Sequence, residues 1–282
     1  VTFLSRLLGK PNGLIGMVLL TAVLATAFLG AVWTPYDPLK SDLLNRFAQP
    51  SAAHPFGTDM FGRDVLSRLM RGAWVSVSIG LATLVIPVML GTLLGAAAGF
   101  FRGWFDRLLI MVLDALMAFP GLLIALGLMA VIGANRFGVI IALSVAYLPA
   151  VTRLVRGSVL SISQNEFVEA SASMGNSRLY TLVVHILPNC VGALIVLTTM
   201  MFGWVLLAES ALSFLGLGVP PPEPSWGNIL SEAKAHLMRH PMLGLLPGIC
   251  ISISLLGVNL LGDALRDELD PKSAAAPSKE TI

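Results

Sequence analysis

Three groups of side chains have the types and spacing to do chemistry, and each points to a different kind. Glu166 and Glu169 open a polar stretch, Glu166–Pro188, held between two apolar runs. Helix-forming residues lead to Gly175, which suits a helix end at positive φ. A second short helix over Ser177–Leu187 then runs to Pro188, which fits the first turn of a following helix. Two short amphipathic helices meeting at a glycine make a knob for a protein partner rather than for lipid. Asp114 and Glu209 form the second group, each inside an apolar run. An intramembrane carboxylate costs on the order of 2.5–3.5 kcal/mol and is a functional candidate by default. At about 1.5 Å per residue, Asp114 lies roughly 10 Å in from Arg107, so an ion pair with a nearby arginine is the favoured reading. Glu209 lies roughly 30 Å beyond Pro188, where its carboxylate reaches water at the opposite interface and can meet a cationic solute. The third group, His236 and His240, has a metal-capable helical spacing, but Leu237 stands where a zinc protease has its glutamate. No metal site is assigned, and no catalytic set emerges. Gly9-Lys10 is followed by Pro11, so it is no phosphate loop.

The elements that hold these groups follow from composition. Of 282 residues, 56% are hydrophobic and 12% charged, against roughly 25% charged in a soluble domain. The class is an all-α polytopic membrane protein. A net charge of +2 without a basic, aromatic-interleaved patch excludes nucleic acid as a partner. Cys190 and Cys250 lie in apolar stretches and read as inert thiols. No cleavable signal peptide is read at the start, because the first apolar run is long enough to span.

Six segments reach the roughly 20 apolar residues that a hydrocarbon core of about 30 Å demands. They are Leu14–Trp33, Ala73–Phe101 with Pro87, Leu108–Ala134 with Asp114 and Pro120, Phe137–Thr152, Cys190–Leu217 with Glu209, and Met242–Leu261. Gly91, Gly95 and Gly99, four apart, offer a close-packing face. DVLSRLMRG before the second span reads as an amphipathic helix at the interface, and Ser225 opens a helix after the rigid PPPEP stretch. The chain thus divides into residues 1–72 (first span, loop and interfacial helix), 73–271 (core with five spans) and 272–282, a disordered tail.

The knob resembles the cytoplasmic EAA loop of permease subunits in bacterial ATP-binding-cassette importers. That pattern runs Glu-Ala-Ala, three residues, Gly, nine residues, Ile, one residue, Leu-Pro. Here Glu169, Ala170, Ser171, Gly175, His185, Leu187 and Pro188 occupy it. Ser171 replaces the second Ala and His185 the Ile, the latter similar to the dipeptide/oligopeptide/nickel branch. FGTDMFGRDVLSRL, LSFLGLG, PSWGNIL and NLLGDALRDELDP extend the likeness over nearly the whole chain, which resembles the C-type permease of that branch.

The resemblance implies a type I permease fold with the coupling loop between helices 4 and 5. Glu166, Glu169, Ala170, Ser171, Gly175, His185, Leu187 and Pro188 would form the ATPase-coupling surface, with Glu209 and Asp114 as candidates for the translocation path. It implies a homologous second permease, two ATPase subunits that bind ATP and Mg, a solute-binding protein and surrounding membrane lipid. No cofactor is expected in this chain, and none of its residues is expected to be catalytic. It places the chain in the bacterial cytoplasmic membrane with both termini inside, which puts ten Lys and Arg inside and eight outside, a weak positive-inside bias. Peptides are the expected cargo, with nickel or glutathione as alternatives within the family. An ion-gradient-driven secondary transporter is the rival from another class, and it requires ionisable residues near the midplane.

Overall fold

A run of apolar residues without water around it must satisfy its backbone internally, and here every such run has become a helix. The computed structural model describes residues 3–269, and no strand occurs among them. Along the chain come α1 (Phe3–Gly9), α2 (Pro11–Val32), α3 (Val65–Phe101), α4 (Gly103–Met117), α5 (Gly121–Ile132) and α6 (Arg136–Ile162). They are followed by α7 (Glu166–Ser173), α8 (Arg178–Tyr180), α9 (Leu187–Phe214), α10 (Trp226–Ala233) and α11 (Met242–Leu269). Five continuous helices are long and apolar enough to cross a membrane, and α4 with α5 passes the same test as a bent pair, either a broken span or a re-entrant loop.

That break corrects the expectation of one span over Leu108–Ala134. α4 and α5 meet at 88°. Pro120 has ψ 132°, and Ala118 closes α4 by donating to the Asp114 carbonyl. Proline offers no N–H and disfavours helix in the residue before it, so Phe119-Pro120 ends one helix and starts the next. The expected interfacial helix over Asp64–Gly72 is also corrected. Those residues are the first turns of α3, which is 37 residues long, or about 55 Å. Asp64 caps it by accepting from the Ser67 amide at 2.8 Å. Val65, Leu69 and Met70 are buried under the loops at this end instead of facing lipid. The boundary drawn between residues 72 and 73 therefore falls inside a helix.

The remaining spans run longer than their apolar cores. α6 continues to Ile162, and α11 continues through Asp263, Arg266 and Asp267 to Leu269. Asp270 and the tail over 272–282 lie outside the described residues. The Gly91, Gly95 and Gly99 stripe does pack α3 closely against α6. A Cβ on Gly95 would lie 2.5 Å from the Thr152 carbonyl oxygen, and one on Gly99 would lie 2.9 Å from that of Arg156. Lipid provides no hydrophobic drive between helices, so this backbone approach and the dispersion it allows hold the pair together. Gly16 and Gly257 do the same between α2 and α11.

The bundle has two unlike ends. At one, the cap, the loop over 34–64 and the segment 215–241 with α10 fold over the helix ends. At the other, the knob, α7 and α8 project between α6 and α9.

Candidate functional site

The knob is built by local chemistry. α7 carries Glu166 and Glu169 in its first turn, where acids favour the positive end of the helix dipole. Gly175 follows at φ +82°, and its amide donates to the Ala172 carbonyl at 3.0 Å. The chain then reverses, and the Ser177 hydroxyl accepts from the Tyr180 amide at 3.2 Å to start α8. Ser171 is the member of the expected set that does not face outward. It is buried, its hydroxyl lies 3.1 Å from that of Thr181, and Asn176 donates to it at 3.1 Å. The residue that departs from the Glu-Ala-Ala pattern thus cross-links the two arms of the knob. Glu166, Glu169, Ala170 and Gly175 are exposed together with Phe167, Met174 and Leu179.

The second arm differs from the expected separate helix over Ser177–Leu187. It winds through a wider π-type turn, Thr181–Ile186, straight into α9. The Leu187 amide reaches back to the Leu182 carbonyl, and Pro188, which has no N–H, follows in the first turn of α9. The wide turn absorbs the donor that proline lacks. His185 sits edge-on to Tyr180 with ring centroids 5.6 Å apart, and its carbonyl accepts from Asn189 at 2.6 Å. The second arm of the knob and the span therefore form one continuous helical run.

Asp114 pairs with Arg153 of α6, as the spacing led us to expect. One turn away, Arg156 donates to Asp106 at 2.7 Å. Both pairs tie the amphipathic α4 to α6, and the Asp114–Arg153 pair stays open, at 55% and 41% side-chain exposure.

Glu209 overturns its expectation. Its depth along α9 is as counted, but the cap closes over it and the residue is 0% exposed. Ser213 donates to Oε1 at 2.8 Å, and Ser210 lies on Oε2 at 3.4 Å. Ser76 of α3 and Ser225, the N-cap of α10, complete a cage of hydroxyls around the carboxylate. Glu209 therefore does not face water.

Sequence comparison bears on the whole arrangement. Residues 91–274 match the family model of the binding-protein-dependent transport system inner membrane component. The chain belongs to this family. It is 44% identical over 267 residues to a putative peptide transport system permease protein of Brucella suis biovar 1 (strain 1330), covering 95% of this chain and 90% of that one. It is 39% identical to the glutathione transport system permease protein GsiD of Pectobacterium atrosepticum, covering 89% and 83%. Against GsiD of Escherichia coli O6:K15:H31 the identity is 42%, covering 90% and 84%. The protein is an inner-membrane, multi-pass permease of the ATP-binding-cassette importer class, working with other transport components.

The permease also has a polar core that spacing did not reveal. Arg63 donates to Asp59 at 2.6 Å and to Glu232 at 2.6 Å. Arg68, 1% exposed, donates to the same Glu232 oxygen at 2.8 Å. Arg68 and Glu232 are 164 residues apart, so only the fold could bring them together. Trp226 is buried against α3, its indole donating to the Leu69 carbonyl at 3.1 Å. His236 and His240 both pack on Phe47, His240 stacked at 4.2 Å.

Proposed function

We propose that this permease moves peptides or close relatives such as glutathione into the cell, driven by ATP hydrolysed on partner subunits. The knob supports this best: two acids and several apolar side chains stand exposed on and around α7, which Ser171 ties to a second arm that runs unbroken into α9. Such a surface suits an ATPase that pushes on α9. In this reading two ATPases bind ATP and Mg and dock on this knob and on that of a second, homologous permease, and a solute-binding protein delivers cargo at the cap. The knob and both termini are cytoplasmic. ATP binding closes the ATPases, the knob moves, and the bundle changes the side to which its path opens. The names of the peptide and glutathione relatives support the solute class.

A secondary transporter would need ionisable groups free to load an ion near the midplane. Here Glu209 is enclosed by serines and Asp114 is held by Arg153, so neither carboxylate favours that reading. Uptake of a labelled dipeptide or glutathione into proteoliposomes holding the full complex tests the choice. ATP-dependent uptake that survives collapse of ion gradients is expected. Uptake that needs a gradient and ignores ATP would reverse the assignment.

A further inference from the structure

The outward surfaces of the bundle differ in kind. α2, α3 and α5 present large apolar side chains, Phe28, Leu93 and Val131 among them, as lipid-facing helices do. On the knob half, the face shared by α6, α9 and α11 is built otherwise. A mainly apolar groove lined by Leu154, Ala193, Val196, Met200, Leu269 and the single cation Arg266 crosses it. Beyond Leu154 it continues into a second groove walled by Arg153, Gly157, Ser158 and Asn189. The small and polar side chains of this second groove suit water or another chain rather than acyl tails.

Arg266 is the one charged side chain lining the first groove among the described residues. Its neighbours Asp267 and Glu268 turn instead to Lys10, at 3.7 and 3.1 Å. No acid lies within ion-pair distance of Arg266 among the described residues. In the adjoining groove Arg153 is already tied to Asp114. A guanidinium beside an apolar wall attracts a carboxylate more strongly than it would in bulk water and can bind it in two-pronged fashion.

We propose that this groove lines the solute's path and that Arg266 meets the carboxylate of the passing solute. The inference rests on the reading of the chain as a peptide-class permease and adds a selectivity element to it. Solutes with a free carboxylate are drawn along the α9–α11 wall, and neutral analogues are not.

The test uses the assembled complex with Cys190 and Cys250 replaced by serine and Ala193→Cys introduced. Impermeant methanethiosulfonates should label this cysteine, and the sulfonate-to-trimethylammonium rate ratio, normalised to that of a free thiol, should be about three- to tenfold because of the nearby guanidinium. Arg266→Gln should bring that ratio close to one, and Arg266→Lys should preserve it. In ATP-driven uptake, Arg266→Gln should slow a free-carboxylate peptide at least several-fold more than its C-terminal amide. An unreactive cysteine would mean that lipid or protein covers the groove, and a ratio indifferent to Arg266→Gln would remove the arginine's role. Equal loss for both peptides would also overturn the proposal. Failure of the parent complex, with Arg266 intact, to take up any solute with ATP would instead refute the transport reading, whatever the labelling shows.

Discussion

The cap and the knob use the same residue types to opposite ends. At the cap, Asp59, Arg63, Arg68 and Glu232 neutralise one another, and the Glu209 carboxylate is enclosed by hydroxyls from α3, α9 and α10. At the knob, Glu166 and Glu169 are exposed, and the hydrogen bonds there run within the knob, through Ser171, Thr181 and Asn176. The cap is completed by its own chain, whereas the knob is rigid but unfinished. Charge by itself therefore says little about docking. What separates the two is whether the chain supplies the partner.

This comparison can be broken at the cap first. Arg68→Met should remove about 3–5 kcal/mol, because Asp59 and Glu232 would keep buried charge with one cation fewer. A large fall in the thermal midpoint of the purified protein in detergent is expected, and an unchanged midpoint would show the network to be dispensable. Gly95→Leu should cost about 1–3 kcal/mol by forcing α3 away from the Thr152 carbonyl, read the same way. Glu209→Gln keeps the shape but replaces an acceptor with a donor among hydroxyls that can turn, so a loss of about 1 kcal/mol is expected. Glu209→Leu should cost more, since it strands those hydroxyls. Equal effects of the two variants would argue against the cage.

Two single cysteines sharpen the comparison without disturbing either end. Met174 on the knob and Met238 at the cap are both highly exposed. In a background lacking Cys190 and Cys250, impermeant reagents should reach Met174→Cys and Met238→Cys from opposite sides of the membrane. Labelling of both from one side would contradict the six-crossing arrangement.

The sequence was most legible where the physics is local. Unbroken apolar runs must form helices in lipid, so α2, α3, α6, α9 and α11 were foreseeable, as were Gly175 at positive φ and the arginine partner of Asp114. The broken third span was not, because Pro120 within an apolar run is equally compatible with a tolerated kink. The cap was least legible. Its contacts join residues such as Arg68 and Glu232 that are 164 positions apart, and spacing carries no information about such pairs. Glu209 shows the limit well: counting residues gives its place along α9, but only the fold reveals that Ser76 and Ser225 close over it. Ser171 was legible as a departure from the pattern, yet its part in holding the knob's two arms together needed coordinates.

If the knob exists to dock a partner, altering it should uncouple the permease without unfolding it. Glu169→Lys reverses a charge on an exposed surface, and Gly175→Pro replaces a residue at φ +82° with one fixed near −65°. Glu169→Lys should leave the thermal midpoint of the isolated permease unchanged. In reconstituted complexes, both variants should insert normally yet lose solute-stimulated ATPase activity. Full stimulation in both variants, with normal assembly, would contradict the docking role.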